Sequence, residues 1–395
     1  MEKATVPNQD HHVRHQRVWT LVQPLVRLIL WLRFRFKRTL APVSGPFLLV
    51  SNHNTDWDPL MIHTCFKEQF YFVASEHLLR SGLGGKLVAW LQDPIPRQKS
   101  GGAADTVMTM MRRMRKGYGV CVFPEGNRSW DGTTAPFLAS IGKLARSSGV
   151  PLVTYRLEGG YFASPRWSGN SARRGRMLGR VVNVYSPEEL KSMKPAEICD
   201  HIREDIQEDA YARQRKDPVL FKGRRLAEHM ETLLFLCPRC GRHHTLESHG
   251  DTVRCWKCGF SFTYLPTGFL SGQDIPFDNL RDWKRWQDGE IRRICDEADE
   301  RPIFTDTQMR TDEVESSKRL KLLGKGDMRL YKDRLELPGV TLPIKEITGV
   351  AVQGPQNIYF TAGEHHYLVR SDMLRCTVKY LTACSHLNGD ADYSV

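Results

Sequence analysis

A histidine and an aspartate stand five residues apart in a short polar segment near the N-terminus of this 395-residue chain. The segment, Ser51 to Asp58, follows an apolar run from Pro46 to Val50 that predicts a buried strand. His53 and Asp58 are therefore expected at a strand end, where functional residues concentrate. A carboxylate that holds an imidazole in one tautomer makes the histidine a candidate general base. An ordinary loop histidine bonded to an aspartate is the alternative, and the pair alone does not decide between them.

Two further predicted strand ends carry arginines. Arg97 follows a turn made rigid by two prolines, and Arg128 lies in the segment 123–129 after the predicted strand Gly119–Phe123. In that segment Gly126 permits close approach of a ligand to the backbone, and an arginine offers a planar donor fork for phosphate. A general base with two arginines suits group transfer to a hydroxyl of a phosphorylated molecule. The alternative is that both arginines are structural ion-pair partners, for example of Glu125.

Strand-like and helix-like segments alternate over the first half of the chain. Apolar runs predict strands at 47–50, 70–74, 118–123, 150–157 and 181–185, and helical spacing predicts helices at 105–116, 141–146 and 196–215. Strands that alternate with helices favour an α/β domain with a largely parallel sheet. Such a sheet brings the carboxyl ends of its strands, and the polar segments that follow them, to one edge.

Four motifs, in order, resemble those of the glycerolipid acyltransferases, the 1-acyl-sn-glycerol-3-phosphate (lysophosphatidic-acid) acyltransferase family. Residues 52–58, Asn-His-Asn-Thr-Asp-Trp-Asp, resemble its N-H-x-x-x-x-D motif, and residues 123–129, Phe-Pro-Glu-Gly-Asn-Arg-Ser, resemble its F-P-E-G-T-R-S motif. Residues 95–97 occupy the place of the arginine-bearing second motif, and residues 150–153 look like the fourth, V-P-[IV]-[VIL]. The resemblance covers roughly residues 45–190.

The resemblance implies a reaction and a set of site residues. His53 takes the proton from an acceptor hydroxyl whose oxygen attacks the thioester of acyl-CoA or acyl-carrier protein, and Asp58 orients the imidazole. No covalent intermediate and no catalytic cofactor are needed. Arg97, Glu125 and Arg128 bind the phosphate and glycerol of lysophosphatidic acid, and the product is phosphatidic acid. We add, from the residues alone, that the Gly126 amide is a candidate oxyanion donor.

Two departures from the family pattern bear on the acceptor. Asn127 replaces the usual threonine, and Leu138 follows Phe137 where the family commonly has a lysine. The arginines of the basic run 173–176 are candidates to replace that charge. Two alternatives therefore stay open: acylation of another lysophospholipid or related acceptor, and a non-enzymatic lipid- or protein-binding scaffold.

Four cysteines form two C-x-x-C pairs, Cys237 with Cys240 and Cys255 with Cys258. This spacing predicts a zinc ribbon with one structural zinc ion bound by four thiolates. A thiol redox pair is the alternative. The other six cysteines are scattered, which favours a reducing cytosol over a secreted disulfide framework.

The charge balance predicts an anionic partner. Lys and Arg exceed Asp and Glu by 57 − 45 = 12, which suits a nucleic acid, an anionic membrane or phosphorylated substrates. Residues 18–36 are apolar and aromatic but interrupted by Pro24 and three arginines. We expect a helix in the membrane interface, with a core helix as the alternative, and thus a peripheral protein on the cytoplasmic face of a membrane. No nucleic-acid partner is expected, because the ribbon lacks a dense basic-aromatic face in sequence.

Composition and motifs together predict five segments. They are an amphipathic membrane-interface segment at 1–40, the acyltransferase domain at 41–225, the zinc ribbon at 226–270, a helical linker at 271–325 and a β-rich domain at 326–395. In the last, short strands with glycine-rich turns are followed by a predicted helix at 373–387. This pattern resembles pleckstrin-homology or GRAM-like domains.

Overall fold

The computed structural model describes residues 9–75, 90, 93–97, 102–169, 171–316, 319–354 and 356–389. The chain divides into two compact units. The first comprises residues 1–163 and 172–220, and the second comprises residues 164–171 and 221–395.

The first unit is built on a seven-stranded sheet in the order β1-β7-β6-β2-β5-β3-β4. The strands are β1 Phe36–Arg38, β2 Leu48–Ser51, β3 Phe70–Ser75, β4 Ile95–Arg97, β5 Gly119–Val122, β6 Leu152–Glu158 and β7 Met177–Tyr185. The five strands from β6 to β4 are mutually parallel, and β7 runs antiparallel to β6. The predicted α/β domain with a largely parallel sheet is therefore confirmed.

Helices flank this sheet. They are Gln9–Phe34, Asp58–His63, Gly102–Arg115, Ser140–Ser148, Gly160–Ala163, Pro187–Ser192, Pro195–Ile206 and Ala210–Lys216. The central strands are apolar on both faces: Leu48 and Leu152 on one face, and Leu49 and Val153 on the other, are fully buried. Continuous apolar runs of this kind form strands covered on both faces, as expected for a parallel sheet.

The N-terminal helix Gln9–Phe34 begins earlier than the predicted apolar segment. Trp19, Leu30 and Phe34 are buried, so one side of the helix belongs to the core of the first unit. The other side exposes a row of large apolar side chains: Leu21, Leu25, Leu28, Trp31 and Leu32. Among the described residues, no helix combines the length and apolarity needed to cross a membrane.

The predicted single helix 196–215 is wrong, because two helices occupy this segment. The chain leaves the first helix at Gln207 in an extended conformation, and the Asp209 side chain caps the second by accepting from the Ala212 amide. In between, the backbone of Glu208 accepts from the Thr134 amide at 2.9 Å. A tertiary backbone contact thus overrides the local helical pattern.

The second unit contains two antiparallel sheets. The ribbon has strands β8 Leu246–His249, β9 Thr252–Cys255, β10 Ser261–Tyr264 and β11 Leu270–Ser271, in the order β11-β10-β9-β8. The larger sheet has the order β15-β14-β13-β12-β18-β17-β16. Its strands are β12 Phe304–Ser316, β13 Arg319–Leu330, β14 Arg334–Leu337, β15 Val340–Pro343, β16 Ile347–Gln353, β17 Asn357–Ala362 and β18 His365–Arg370. Helices Leu280–Asp296 and Val378–Asn388 complete the unit, so the predicted ribbon and β-rich region with a closing helix are confirmed.

The prediction of a helical linker through residue 325 is wrong beyond residue 303. Residues 304–316 and 319–330 are the two longest strands of the unit and pair as a hairpin. The segment looks like a linker in sequence because polar side chains point inward. Asp312, fully buried, is paired with both Arg310 and Arg370, which neutralises a charge that would otherwise disfavour burial.

Candidate active site

The two polar segments around His53 and Glu125 meet at one edge of the first sheet. Residues 52–57 follow β2 and residues 123–129 follow β5, and these strands are parallel neighbours. The Ser129 amide donates to the His53 carbonyl at 3.1 Å, which joins the segments directly. Arg97 ends β4 at the same edge, but its side chain lies outside the described residues.

His53 and Asp58 form the predicted pair. The imidazole Nδ1 lies 2.9 Å from Asp58 Oδ2, and the ring stacks on Phe123 with centroids 4.3 Å apart. The His53 side chain is 19% exposed, whereas Asp58 is fully buried. When the carboxylate accepts a hydrogen bond from Nδ1–H, Nε2 is the ring nitrogen left to accept a proton from outside.

Asp58 is fixed by the loop that it closes. It is the first residue of the short helix Asp58–His63. Oδ2 also accepts from the amides of Asn54 and Thr55, at 2.6 and 2.9 Å, and Oδ1 accepts from the Thr55 hydroxyl at 2.7 Å. This set of donors fixes the orientation of the buried carboxylate and leaves neither of its oxygens without a partner.

Sequence reasoning missed the residue that anchors this loop to the sheet. The buried Asn52 amide makes two bonds to Leu157 at the end of β6, donating to its carbonyl and accepting from its N–H, each at 2.8 Å. Behind the loop, a Cβ on Gly160 would lie 2.6 Å from Asn54 Cβ. The signal available in sequence was the polar type of Asn52 directly after an apolar strand.

Glu125 is a positioning residue in this structure. Its oxygens accept from the backbone amides of His53 and Ala135, each at 2.7 Å. Burial raises the pKa of this carboxyl to about 8, against an opposing effect of those two hydrogen bonds. Each oxygen keeps a further lone pair, so the two bonds leave room for the predicted contact of Glu125 with a substrate glycerol, which stays a prediction.

Arg128 lies at the rim of the site. Its Nε is 3.3 Å from Asp56 Oδ1, and its side chain is 11% exposed while that of Asp56 is largely exposed. Gly126 adopts a left-handed backbone conformation, with φ of 72°. Its amide donates to the Phe123 carbonyl at 3.1 Å, so the suggested oxyanion role would require this turn to open.

The basic run after residue 172 is engaged elsewhere in the first unit. Arg173 is buried, the Arg174 guanidinium lies 5.6 Å from the Trp31 ring centroid, and Arg176 pairs with Asp217. These contacts give the run a structural role. They do not favour it as the replacement for the missing lysine.

The four predicted zinc ligands come together in the second unit. The Sγ atoms of Cys237, Cys240, Cys255 and Cys258 all lie within 4.8 Å of one another. Cys237 Sγ is 3.7 Å from Cys258 Sγ, and Cys240 Sγ is 3.9 Å from Cys255 Sγ. Four thiolates about 2.3 Å from one tetrahedral zinc would be about 3.8 Å apart, so this donor set fits a structural zinc ion.

Comparisons with known proteins match both units. Residues 33–158 match the sequence model of the acyltransferase family, and residues 230–264 match a zinc-ribbon model described as DNA directed RNA polymerase, 7 kDa subunit. The chain is 27% identical over 177 residues to 1-acyl-sn-glycerol-3-phosphate acyltransferase alpha of Mus musculus, covering 42% of this chain and 59% of that protein. It is 28% identical over 172 residues to 1-acyl-sn-glycerol-3-phosphate acyltransferase BAT2, chloroplastic, of Brassica napus, covering 43% of this chain and 48% of that protein. The chain therefore spans less than two thirds of the length of either relative.

A solved structure is also similar. The crystal structure of the 1-acyl-sn-glycerophosphate (LPA) acyltransferase PlsC from Thermotoga maritima aligns with a TM-score of 0.42 at 18% sequence identity. The alignment covers 53% of this chain and 84% of that one.

Proposed function

We propose that this chain acylates a lysophospholipid. Residues 33–158 match the acyltransferase family model, and the chain is similar over 177 residues to a 1-acyl-sn-glycerol-3-phosphate acyltransferase. The donor is a fatty acyl thioester, acyl-CoA or acyl-carrier protein. The acceptor is the free hydroxyl of 1-acyl-sn-glycerol-3-phosphate, and the product is phosphatidic acid. The observation that carries this proposal is the His53–Asp58 pair, with Nδ1 bound to a buried carboxylate and the ring partly exposed at the edge of a parallel sheet.

The geometry fits general-base catalysis of acyl transfer. His53 Nε2 accepts the proton of the acceptor hydroxyl while that oxygen forms a bond to the thioester carbonyl carbon. The resulting imidazolium is stabilised by the Asp58 carboxylate, 2.9 Å away. When the tetrahedral intermediate collapses, the carbon–sulfur bond breaks and the imidazolium returns its proton to the leaving thiolate.

Two arginines are the proposed phosphate ligands. Arg128 is supported by its place on the segment that contacts the His53 backbone and by its contact with the exposed Asp56. A phosphate could replace that carboxylate, since both suit the guanidinium fork. Arg97 is proposed only from its position at the end of β4.

The exposed side of the N-terminal helix supports a peripheral membrane location. Leu21, Leu25, Leu28 and Leu32 form an apolar row on a helix that also carries Arg27 and Arg33. Such a helix lies in the interface between lipid headgroups and acyl chains. We propose that this row holds the first unit against the membrane that contains the acceptor, on its cytoplasmic face.

A different acceptor is the second candidate, because Leu138 follows Phe137 at the place where the family pattern that this chain resembles commonly has a lysine. The experiment that separates the two is an acyl-transfer assay with the purified chain, radiolabelled acyl-CoA and acyl-carrier protein, and a panel of lysophospholipids. Highest kcat/KM with lysophosphatidate is expected. Preference for a lysophospholipid with a larger headgroup would favour the second candidate, and no transfer to any acceptor would favour the non-enzymatic scaffold.

A further inference from the structure

The two turns that hold the zinc-ligand cysteines, together with the adjoining end of β9, present one tryptophan and four cations to solvent. We define the knuckle face as Arg239, Arg242, Arg254, Trp256 and Lys257. Trp256 is 59% exposed, and the four cations are exposed as well. An exposed tryptophan on a small domain marks an interaction surface more strongly than exposed aliphatic residues do.

The cysteine cluster brings these side chains together, although they span residues 239–257 in sequence. Arg239 precedes Cys240 and Trp256 follows Cys255, and the sulfurs of these two cysteines are 3.9 Å apart. The Trp256 amide donates to the Thr245 carbonyl at 3.0 Å, which fixes the turn that projects the indole. The two turns therefore form one surface at the metal end of the ribbon.

Within the part of the chain that the structure describes, the four cations of this face are not engaged in ion pairs, although Arg254 lies on β9 across from Glu247 of β8. By contrast, other exposed arginines of the second unit do form ion pairs. Arg225 pairs with Glu228, and Arg301 pairs with Asp299. The members of this face are separated in sequence, so the sequence alone does not show them as one surface. The expectation that the ribbon lacks a dense basic-aromatic face stays a prediction, because this face has a single aromatic residue.

We propose that the knuckle face docks the second unit on an anionic lipid surface. This inference rests on the proposed function, since it supposes that the chain works at a membrane that contains an anionic lipid acceptor. Tryptophan favours the headgroup region, where its ring is partly buried and its N–H stays hydrated. Cations around it add attraction to anionic headgroups that falls with salt.

The form of the face favours a membrane over a nucleic acid. Proteins that bind single strands stack successive bases on several aromatic side chains along a charged groove. Here one indole projects from a tight turn with cations around it, an arrangement that meets a planar surface. One interfacial aromatic side chain surrounded by cations can bind a membrane surface without a groove.

The test uses the full chain with its zinc and measures binding to sedimented vesicles of phosphatidylcholine, with and without phosphatidylserine. The variants are Trp256→Ala and the double change Arg239→Gln/Lys257→Gln. The matched control is Lys325→Gln/Lys345→Gln, which removes the same charge from exposed lysines of the same unit. Zinc content is measured for each variant to show that the ribbon remains folded.

The knuckle double variant should bind phosphatidylserine vesicles roughly 25-fold more weakly than the unmodified chain, because each cation at an anionic surface contributes about fivefold. The lysine control should stay within about a factor of three of the unmodified chain. Trp256→Ala should weaken binding to both kinds of vesicle. Equal affinity of the knuckle variants and the control would overturn the proposal. It would also be overturned if Trp256→Ala left vesicle binding unchanged but weakened binding to a fluorescent single-stranded oligonucleotide.

The failure of this inference is distinguishable from failure of the proposed function. Acyl transfer to detergent-dispersed lysophosphatidate does not require docking, so the knuckle variants should retain it. Unchanged vesicle affinity in variants that still transfer acyl groups refutes the docking surface alone. Absence of transfer by the unmodified chain in detergent refutes the proposed function.

Discussion

Replacing Asp58 by Asn removes the charge beside His53 while keeping the shape of its surroundings. The new carbonyl can accept from His53 Nδ1 and from the amides of Asn54 and Thr55, as Oδ2 does now. The new NH₂ group can donate to the Thr55 hydroxyl, whose oxygen also accepts. The variant therefore isolates the electrostatic role of Asp58 from its structural role.

The size of the effect follows from the 2.9 Å separation of His53 Nδ1 and Asp58 Oδ2. With an effective dielectric constant of about 20, a full charge pair at this distance interacts by about 6 kcal/mol. If the transition state holds an imidazolium there, losing the carboxylate slows the reaction by up to about 10⁴-fold. We expect kcat to fall by 10³- to 10⁴-fold, because the neutral amide recovers part of the interaction.

The assay is transfer of a radiolabelled acyl group to lysophosphatidate, with kcat and KM measured separately. The matched control is Asp205→Asn, which changes another buried carboxylate of the first unit. Asp205 accepts from Thr154 and Tyr185 hydroxyls and from the Asn183 amide group. The Asp205→Asn variant should be less stable than the unmodified chain but should keep its kcat within about tenfold of it. A loss below about tenfold in a folded Asp58→Asn protein would refute the electrostatic argument.

Three further predictions concern positions around the site and the metal. Burial raises the pKa of Glu125 from 4.5 to about 8. The protonated carboxyl therefore contributes its full stabilisation below pH 4.5, and this stabilisation is lost as the pH rises through 8. The resulting fall in the free energy of unfolding is at most about 5 kcal/mol. Glu125→Gln should flatten the fall in the unfolding free energy of the first unit between pH 5 and 8, and an unchanged slope would contradict the assignment. Gly160→Ala should push Asn54 and lower kcat by about 10²-fold, whereas Gly289→Ala, with open space around its Cβ position, should be silent. Metal analysis should find one zinc per chain, removal by a chelator should expose Cys237 to alkylation, and a metal-free chain with protected thiols would rule the ribbon site out.

The parts of the fold that could be predicted are those set by local pattern. Apolar runs located the strands of the first unit, and the cysteine spacing located the ribbon. The comparisons confirm the resemblance to the lysophosphatidic-acid acyltransferase family that the motifs indicated. The division of the helix at Gln207 and the hairpin that begins at Phe304 were missed, because tertiary contacts of Glu208 and Asp312 decide them.

The candidate site was predictable in its residues but not in how they are held. The sequence motif identifies His53 and Asp58. The local sequence does not show that Asn52 hydrogen-bonds to Leu157, or that the Glu125 carboxylate accepts a hydrogen bond from the His53 amide. These bonds join segments more than seventy residues apart in the chain. The catalytic and substrate-binding roles of the site residues stay predictions until activity is measured.

The central claim is that His53 is the general base of acyl transfer, and it is tested most directly by kcat for lysophosphatidate acylation in His53→Ala. The variant should bind zinc and unfold at nearly the temperature of the unmodified chain, because His53 is bonded through its backbone as well as its ring. Its kcat should fall by about 10²- to 10⁴-fold, which is the usual contribution of a positioned general base. A folded His53→Ala protein that transfers acyl groups at near the unmodified rate would contradict the account.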